Sequence, residues 1–169
     1  MTREGALLVT VAIALLLVGL GVWAWRRRTR RDSGIVAPVG EAPAGARVEA
    51  TFPALYVATT RHEEPLERLA VRGMGFRSRA DVTVTDAGVA IDLTGQPRLF
   101  LATARIAEVA QSTVAIDRVV ERDGLTRLSW RTDDGTVVDS YFRPQDASAR
   151  ALADAVSGIL PSTQTGTDA

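Results

Sequence analysis

Leu125-Thr126-Arg127-Leu128-Ser129-Trp130-Arg131, Thr132-Asp133-Asp134-Gly135, Thr136-Val137-Val138-Asp139-Ser140-Tyr141-Phe142-Arg143 is the stretch whose reading decides the fold. An Asp-Gly between two alternating runs is a strong hairpin signal, because the turn needs positive φ and glycine supplies it without steric cost. Leu128 and Trp130 share one face of the first run, and Val138 and Phe142 share a face of the second. A second hairpin stands upstream. Val82 and Val84 alternate with Asp81, Thr83 and Thr85, Asp86-Ala87-Gly88 turns the chain, and Val89, Ile91 and Leu93 alternate with Ala90 and Asp92. Two hairpins of this kind make the domain a predominantly antiparallel β structure.

Outward from these hairpins the same grammar continues. Ala54 to Thr60 reads as a strand, and Leu66 to Phe76 holds a further apolar segment. Gly95-Gln96-Pro97 breaks the chain before the short strand Leu99-Phe100-Leu101. Ala104 to Ala110 and Val114 to Glu121 follow, and Asp123-Gly124 turns again. After Arg143 the period changes. Ala149, Leu152, Ala153, Val156 and Leu160 fall at helical spacing within Asp146 to Leu160, with Asp146 as the expected N-cap and Pro161 as the stop. The order is therefore about seven antiparallel strands, largely sequential, and then one α-helix. A sheet of that size must cover two faces and its ends. Curling it into two crossed sheets, with the helix plugging one open end, gives a pleckstrin-homology (PH)-like barrel over residues 50–160.

The amino-terminal end has a different composition. Gly5 to Trp25 is 21 residues without a charge, and Thr10 is its one polar side chain. At about 1.5 Å per residue, such a helix crosses a hydrocarbon core of roughly 30 Å. A buried core helix would show a polar face, and this run shows none. A cleaved signal peptide would end on small residues, whereas this run ends in Trp23-Ala24-Trp25 and then Arg26-Arg27-Arg28. Trp23 and Trp25 suit the headgroup interface. Arg26, Arg27, Arg28, Arg30 and Arg31 crowd one flank, while Arg3 stands alone on the other. The positive-inside rule then puts residues 1–4 outside and everything after the helix in the cytoplasm.

Residues 26–49 read as this basic collar followed by a flexible linker, with Gly34, Pro38, Gly40, Pro43 and Gly45 among small residues. A flexible stretch of that length spans roughly 20–25 Å. Residues 161–169 read as a disordered tail. The chain has 20 basic residues, all Arg, against 20 acidic ones, for a net charge of zero. That zero is a cancellation: residues 1–31 hold six Arg and one Glu, and residues 32–169 hold 14 Arg and 19 acidic groups. The soluble part is therefore acidic, which gives no reason to expect nucleic acid as a partner. It also disfavours flat contact with an anionic leaflet and favours a domain held off the bilayer by its linker.

Several short motifs resemble one family. They are Tyr56-Val57-Ala58-Thr59-Thr60, Pro65-Leu66-Glu67-Arg68, Gly73-Met74-Gly75-Phe76-Arg77, Gly88-Val89, Ile116-Asp117-Arg118-Val119-Val120, and Trp130-Arg131 through Tyr141-Phe142-Arg143. With the apolar helix and Arg cluster, they resemble the actinobacterial single-pass membrane proteins that carry a bacterial PH-like domain. The resemblance covers roughly residues 5–160 and implies the architecture. It implies no catalytic or ligand-binding residues.

Residues that could carry chemistry are few. Zero Cys removes thiol nucleophiles, thiolate metal sites and disulfides. His62 is the single His, and His62-Glu63-Glu64 cannot converge on an ion without distant ligands. Asp133-Asp134-Gly135 lacks the remaining positions of a calcium loop. Ser112, Ser129 and Ser140 have no Gly-x-Ser-x-Gly elbow. Gly73-Met74-Gly75 has Ser78 where a dinucleotide fingerprint needs its third Gly. Arg72, Arg77 and Arg79 form a candidate anionic-ligand patch, although Arg61 to Arg79 holds five Arg against three Glu. No enzyme and no cofactor is expected. The expected role is a membrane-tethered interaction or scaffold module, bound to the bilayer by one helix and to a protein partner or a second copy by its domain. An accessory role in membrane export or transport is the alternative. It is disfavoured because one helix without an intramembrane charge marks no path.

Overall fold

The computed structural model describes the backbone of residues 3–32, 35–115, 118–119 and 124–161, and the side chains at 3, 4, 6–8, 25, 28–32, 114, 115, 118 and 119 lie outside that description. Two compact units divide the chain, residues 1–34 and residues 35–169.

The first unit is one helix, α1, running 30 residues from Arg3–Asp32. Its described side chains from Val9 to Ala24 are exposed. The expected span from Gly5 to Trp25 includes side chains outside the description, and among the described residues no helix is long and apolar enough to cross a membrane. In the collar, Arg27 lies one turn beyond Trp23, its guanidinium 5.4 Å from the ring centroid. The side chains of Trp25, Arg28, Arg30 and Arg31 are outside the described residues.

The second unit is mainly β. Its strands are β1 (Val48–Arg61), β2 (Glu64–Arg68), β3 (Ser78–Thr85), β4 (Gly88–Leu93), β5 (Leu99–Ala102), β6 (Ile106–Ser112), β7 (Val114–Ala115), β8 (Arg118–Val119), β9 (Leu125–Arg131) and β10 (Val137–Pro144). One path of neighbours runs β5-β4-β3-β1-β10-β9-β6, with β2 paired to β1 beside it and β7–β8 as a separate ladder. That path contains seven strands, every pair antiparallel. Both expected hairpins form. Val82 faces Ile91 and Val84 faces Val89 in one, and Trp130 faces Val138 in the other.

The joint between the two halves is β1. Its Val48–Tyr56 portion pairs with β3, its Ala54–Arg61 portion pairs with β10, and the register to β10 shifts between Tyr56 and Ala58. An extra residue at such a bulge bends the strand and raises its twist, so one strand can serve both halves of a curled sheet. The first strand thus pairs with the last, which a purely sequential meander would not give.

Packing explains the tight turns. Gly88 sits at φ +153, and a Cβ there would stand 2.2 Å from the Leu101 carbonyl oxygen. Gly135 closes the β9–β10 turn at φ +84. In that turn the Asp134 carboxylate accepts from the Thr132 hydroxyl and from the Thr136 N–H at 3.0 Å. These hydrogen bonds hold its carboxyl below the usual range, the Thr132 hydroxyl contributing most.

The helix α2 spans Ala149–Ile159 and sends Leu152 and Val156 into the main core, beside Tyr56, Ile91, Leu128 and Trp130. Its N-cap is Ser148, whose Oγ accepts the Ala151 N–H at 3.1 Å. The expected cap at Asp146 is thus displaced, because the chain turns helical only after Ser148.

Three other expectations change. The apolar segment Leu66 to Phe76 splits into β2 and a loop, residues 69–77. The strand expected from Ala104 starts at Ile106, after a 3-10 turn at Thr103–Arg105. The linker expected over residues 26–49 is partly core: Ile35 and Ala37 are buried in the main cluster. Val36 bridges Arg72, and Val39 bridges Leu99. Side chains of this short segment alternate into the domain, which fixes it along the sheet. Part of Val114 to Glu121, including residues 116–117 and 120–121, and the tail 162–169 lie outside the described residues.

Candidate functional site

The loop 69–77 is built around a peg. Leu69, Val71 and Met74 are buried, while Arg72, Gly75, Phe76 and Arg77 are exposed. Gly73 and Gly75 flank Met74 at φ +93 and +58, backbone conformations that a Cβ disfavours. The reversal they allow drives the Met74 side chain inward, where its sulfur accepts from the Thr59 hydroxyl at 3.4 Å. Thr59 in turn meets the Tyr56 hydroxyl at 2.9 Å and Ser140 Oγ at 2.8 Å, and Trp130 Nε1 donates to Ser140 Oγ at 2.9 Å. The peg therefore seats on a buried, hydrogen-bonded chain of hydroxyls. Burial raises the Tyr56 phenol above its ordinary value. That phenol stays protonated at neutral pH.

With Met74 held inside, Phe76 is held out, 84% exposed. The Arg68 guanidinium stands 5.4 Å from its ring centroid, and Arg68 Nη2 is buried without a hydrogen-bond partner. Arg72 is fixed through its backbone: its N–H donates to the Ile35 carbonyl and its carbonyl accepts from Ala37, both at 3.0 Å. Of the three candidate arginines, Arg72 and Arg77 share this loop. Arg79 does not join them. It lies on β3 over a cleft of about 610 Å³ that it shares with Asp81, Asp92 and Asp146. None of Arg68, Arg72, Arg77 and Arg79 makes an ion pair among the described residues.

The second constellation surrounds Asp139, which is 1% exposed. Its Oδ1 accepts from Ser129 Oγ at 2.6 Å and lies 2.9 Å from His62 Nδ1, and its Oδ2 accepts the Glu63 N–H at 3.4 Å. Glu63 is the one non-glycine residue at positive φ among the described residues, at +64. The cluster holds a Ser, a His and an Asp, but not in a nucleophilic order. Ser129 gives its proton to Asp139 rather than to the imidazole, and its side chain is fully buried. A nucleophile must meet both its base and a substrate. Here the carboxylate instead latches the β1–β2 turn to β9 and β10. Among the described residues no group of three or more His, Asp or Glu could hold a metal ion.

Sequence reasoning overlooked Phe76 and Asp139. Phe76 had a readable signal, an aromatic next to Gly-x-Gly in an Arg-rich loop. Asp139 had none. It occupies the face of β10 that alternation would assign to solvent, yet Val138 to Phe142 is buried on both faces.

A bent antiparallel sheet with seven strands in its path and a carboxy-terminal helix packed into its core defines a PH-like β-domain. The match to the family described as "Bacterial PH domain-like" runs over residues 22–157, and the chain belongs to that family. No curated protein matches it. Among solved structures, the crystal structure of the C-terminal domain of an unknown protein from Leishmania infantum is similar over 83% of this chain and 99% of that one. The identity is 11% and the TM-score 0.44, so that likeness carries no functional argument.

Proposed function

We propose that this protein is a non-enzymatic interaction module tethered by one helix to the cytoplasmic face of the cell membrane. The observation that carries the reading is the uncharged run Gly5–Trp25, closed by tryptophans and five arginines, within the continuous helix Arg3–Asp32 that precedes a PH-like domain. The family match begins at residue 22 and so takes in the collar together with the domain, which supports reading them as one device. Tethering concentrates the domain for partners confined to the same surface. The Ser129–Asp139–His62 geometry supports a structural rather than a chemical use of the polar residues.

The test uses the full chain carrying a carboxy-terminal reporter that is active only in the cytoplasm. Reporter activity, with the protein resisting alkaline carbonate extraction, is the expected result. Release by carbonate would remove the tether from the reading, and reporter activity outside the cell would reverse the orientation. In vivo crosslinking from the domain is expected to trap a protein partner or a second copy.

A further inference from the structure

We infer that two copies of this chain exchange straps: the extended segment 35–40 of each seats along β5 of the other, in the groove that its own copy of the segment fills here. The inference rests on the interaction-module part of the proposed function and names a second copy as the partner.

The groove has the form of a strand-acceptor site. β5 ends the path of the sheet, and its sequence Leu99-Phe100-Leu101-Ala102 carries no charge. Such an edge recruits a strand unless it is covered. Residues 35–40 cover it through main-chain groups on both sides. The Phe100 N–H donates to the Pro38 carbonyl at 3.0 Å, and the Gly40 N–H donates to the Arg98 carbonyl at 3.1 Å. Opposite, the Ala37 N–H donates to the Arg72 carbonyl and the Arg72 N–H to the Ile35 carbonyl, both at 3.0 Å. Main-chain bonds of this kind form equally well with a strand of the same chain or of a neighbour.

Side-chain fit selects the occupant. Ile35 and Ala37 enter the main core. Ala37 is 1% exposed and lies against Gly73, where an added Cβ would stand 3.7 Å from the Ala37 methyl and 3.7 Å from Leu99 Cδ2. The slot therefore takes a methyl and excludes a longer side chain. Just past the strap, Glu41 meets Arg98 at 2.8 Å. An occupant must then be apolar at its first position, Ala at its third and acidic at its seventh, which is what a second copy brings. The hinge is residues 41–47. Glu41, Pro43, Ala44, Gly45 and Arg47 are exposed there, and the turn closes from the Ala46 N–H to the Pro43 carbonyl at 3.0 Å. Straightened, seven residues reach roughly 23 Å, enough to carry the strap to a neighbour. Reciprocal exchange closes about a twofold axis, so assembly stops at two copies.

The chain has no Cys, so an introduced pair reports alone. A Cβ at Gly40 would stand 4.0 Å from Phe100 Cβ, within disulfide reach. Full-length chains carrying Gly40→Cys or Phe100→Cys, each with its own tag, are co-expressed, and the lysate is oxidised with copper phenanthroline. A mixed-tag disulfide severalfold more abundant than either like-tag species is expected, and the double variant should run as a covalent dimer without reductant. Mixed-tag product no more abundant than like-tag product, or a double variant that oxidises only within the monomer, would overturn the inference. Ala37→Phe in the Gly40→Cys chain should remove the mixed-tag product because the slot cannot take the ring. Survival of that product would mean collision, not seating, and would also sink the exchange. Carbonate extraction of the same cells reports the tether separately, so loss of the tether leaves the disulfide result standing.

Discussion

At the scale of single residues, the carboxylates divide by what they are asked to hold. Asp139 is buried and satisfies three donors at once: the Ser129 hydroxyl, the His62 imidazole and the Glu63 N–H. Asp139→Ala leaves those groups without their acceptor and is expected to cost about 2–4 kcal/mol in urea unfolding. Asp139→Asn keeps an acceptor for Ser129 and should cost less. A neutral Asp139→Ala would mean that the latch stabilises nothing. Asp134 is different because it is solvent-exposed and works through a turn. Its carboxyl is held low by the Thr132 hydroxyl first and then the Thr136 N–H. A depressed folded-state value stabilises the fold above the unfolded value of about 3.9, and that contribution disappears as pH falls through the depressed value. The turn should thus loosen only in acid, below about pH 4. Carboxyl-carbon NMR should show the Asp134 midpoint below that of ordinary aspartates, and Thr132→Val should return it towards them. An unchanged midpoint in Thr132→Val would assign the shift to another cause.

At the scale of elements, what was legible depended on whether a segment carries its own period. The hairpins β3–β4 and β9–β10 and the helix α2 do, and all three form where the alternation or the 3.6-residue spacing puts them. The first half of β1 carries a period that its proline obscures. Glu49, Thr51 and Pro53 are exposed and alternate with the partly buried Ala50 and Phe52 and the buried Ala54, but Pro53 sits in the strand opposite Asp81, where a proline normally argues against a strand. The segment 35–40 was illegible for a similar reason, since two buried side chains among Pro and Gly give no period to read. Ile35→Ala is therefore expected to destabilise the domain by about 2 kcal/mol, as loss of core and not of linker. A change within a few tenths of a kcal/mol would restore the flexible-linker reading. The start of α2 offers a sharper contrast, because Asp146 and Ser148 are both good capping residues. Ser148→Ala should cost about 1 kcal/mol and Asp146→Ala almost nothing, read as shifts in unfolding midpoint. The opposite ranking would put the cap back at Asp146. The loop 69–77 was legible in its arginines and in the aromatic beside Gly-x-Gly, but not in its conformation. The Met74 peg that turns Phe76 outward depends on partners in β1 and β10, far away in sequence.

At the scale of the whole molecule, charge is segregated. Residues 1–31 carry six Arg against one Glu, and residues 32–169 carry 19 acidic groups against 14 Arg. Orientation in a membrane is governed by Lys and Arg within about 15–20 residues of the helix ends, while acidic residues contribute little. The collar at Arg26, Arg27, Arg28, Arg30 and Arg31 should therefore set the topology, and the acidic domain behind it should not. This separates two explanations for a cytoplasmic domain: retention by the positive cluster, or exclusion of a folded, acidic unit from export. Replacing the five collar arginines with Asn, and Thr2 and Glu4 with Arg, inverts the flank asymmetry and leaves the domain untouched. Under the proposed topology, a carboxy-terminal reporter active only in the cytoplasm should lose most of its signal, and a secreted-phase reporter should gain it. Substituting the same number of domain acidic residues, such as Glu49, Asp86, Asp92, Glu108 and Asp154, should leave the topology unchanged. If the collar swap leaves the reporter in the cytoplasm, the arginines do not hold the domain inside.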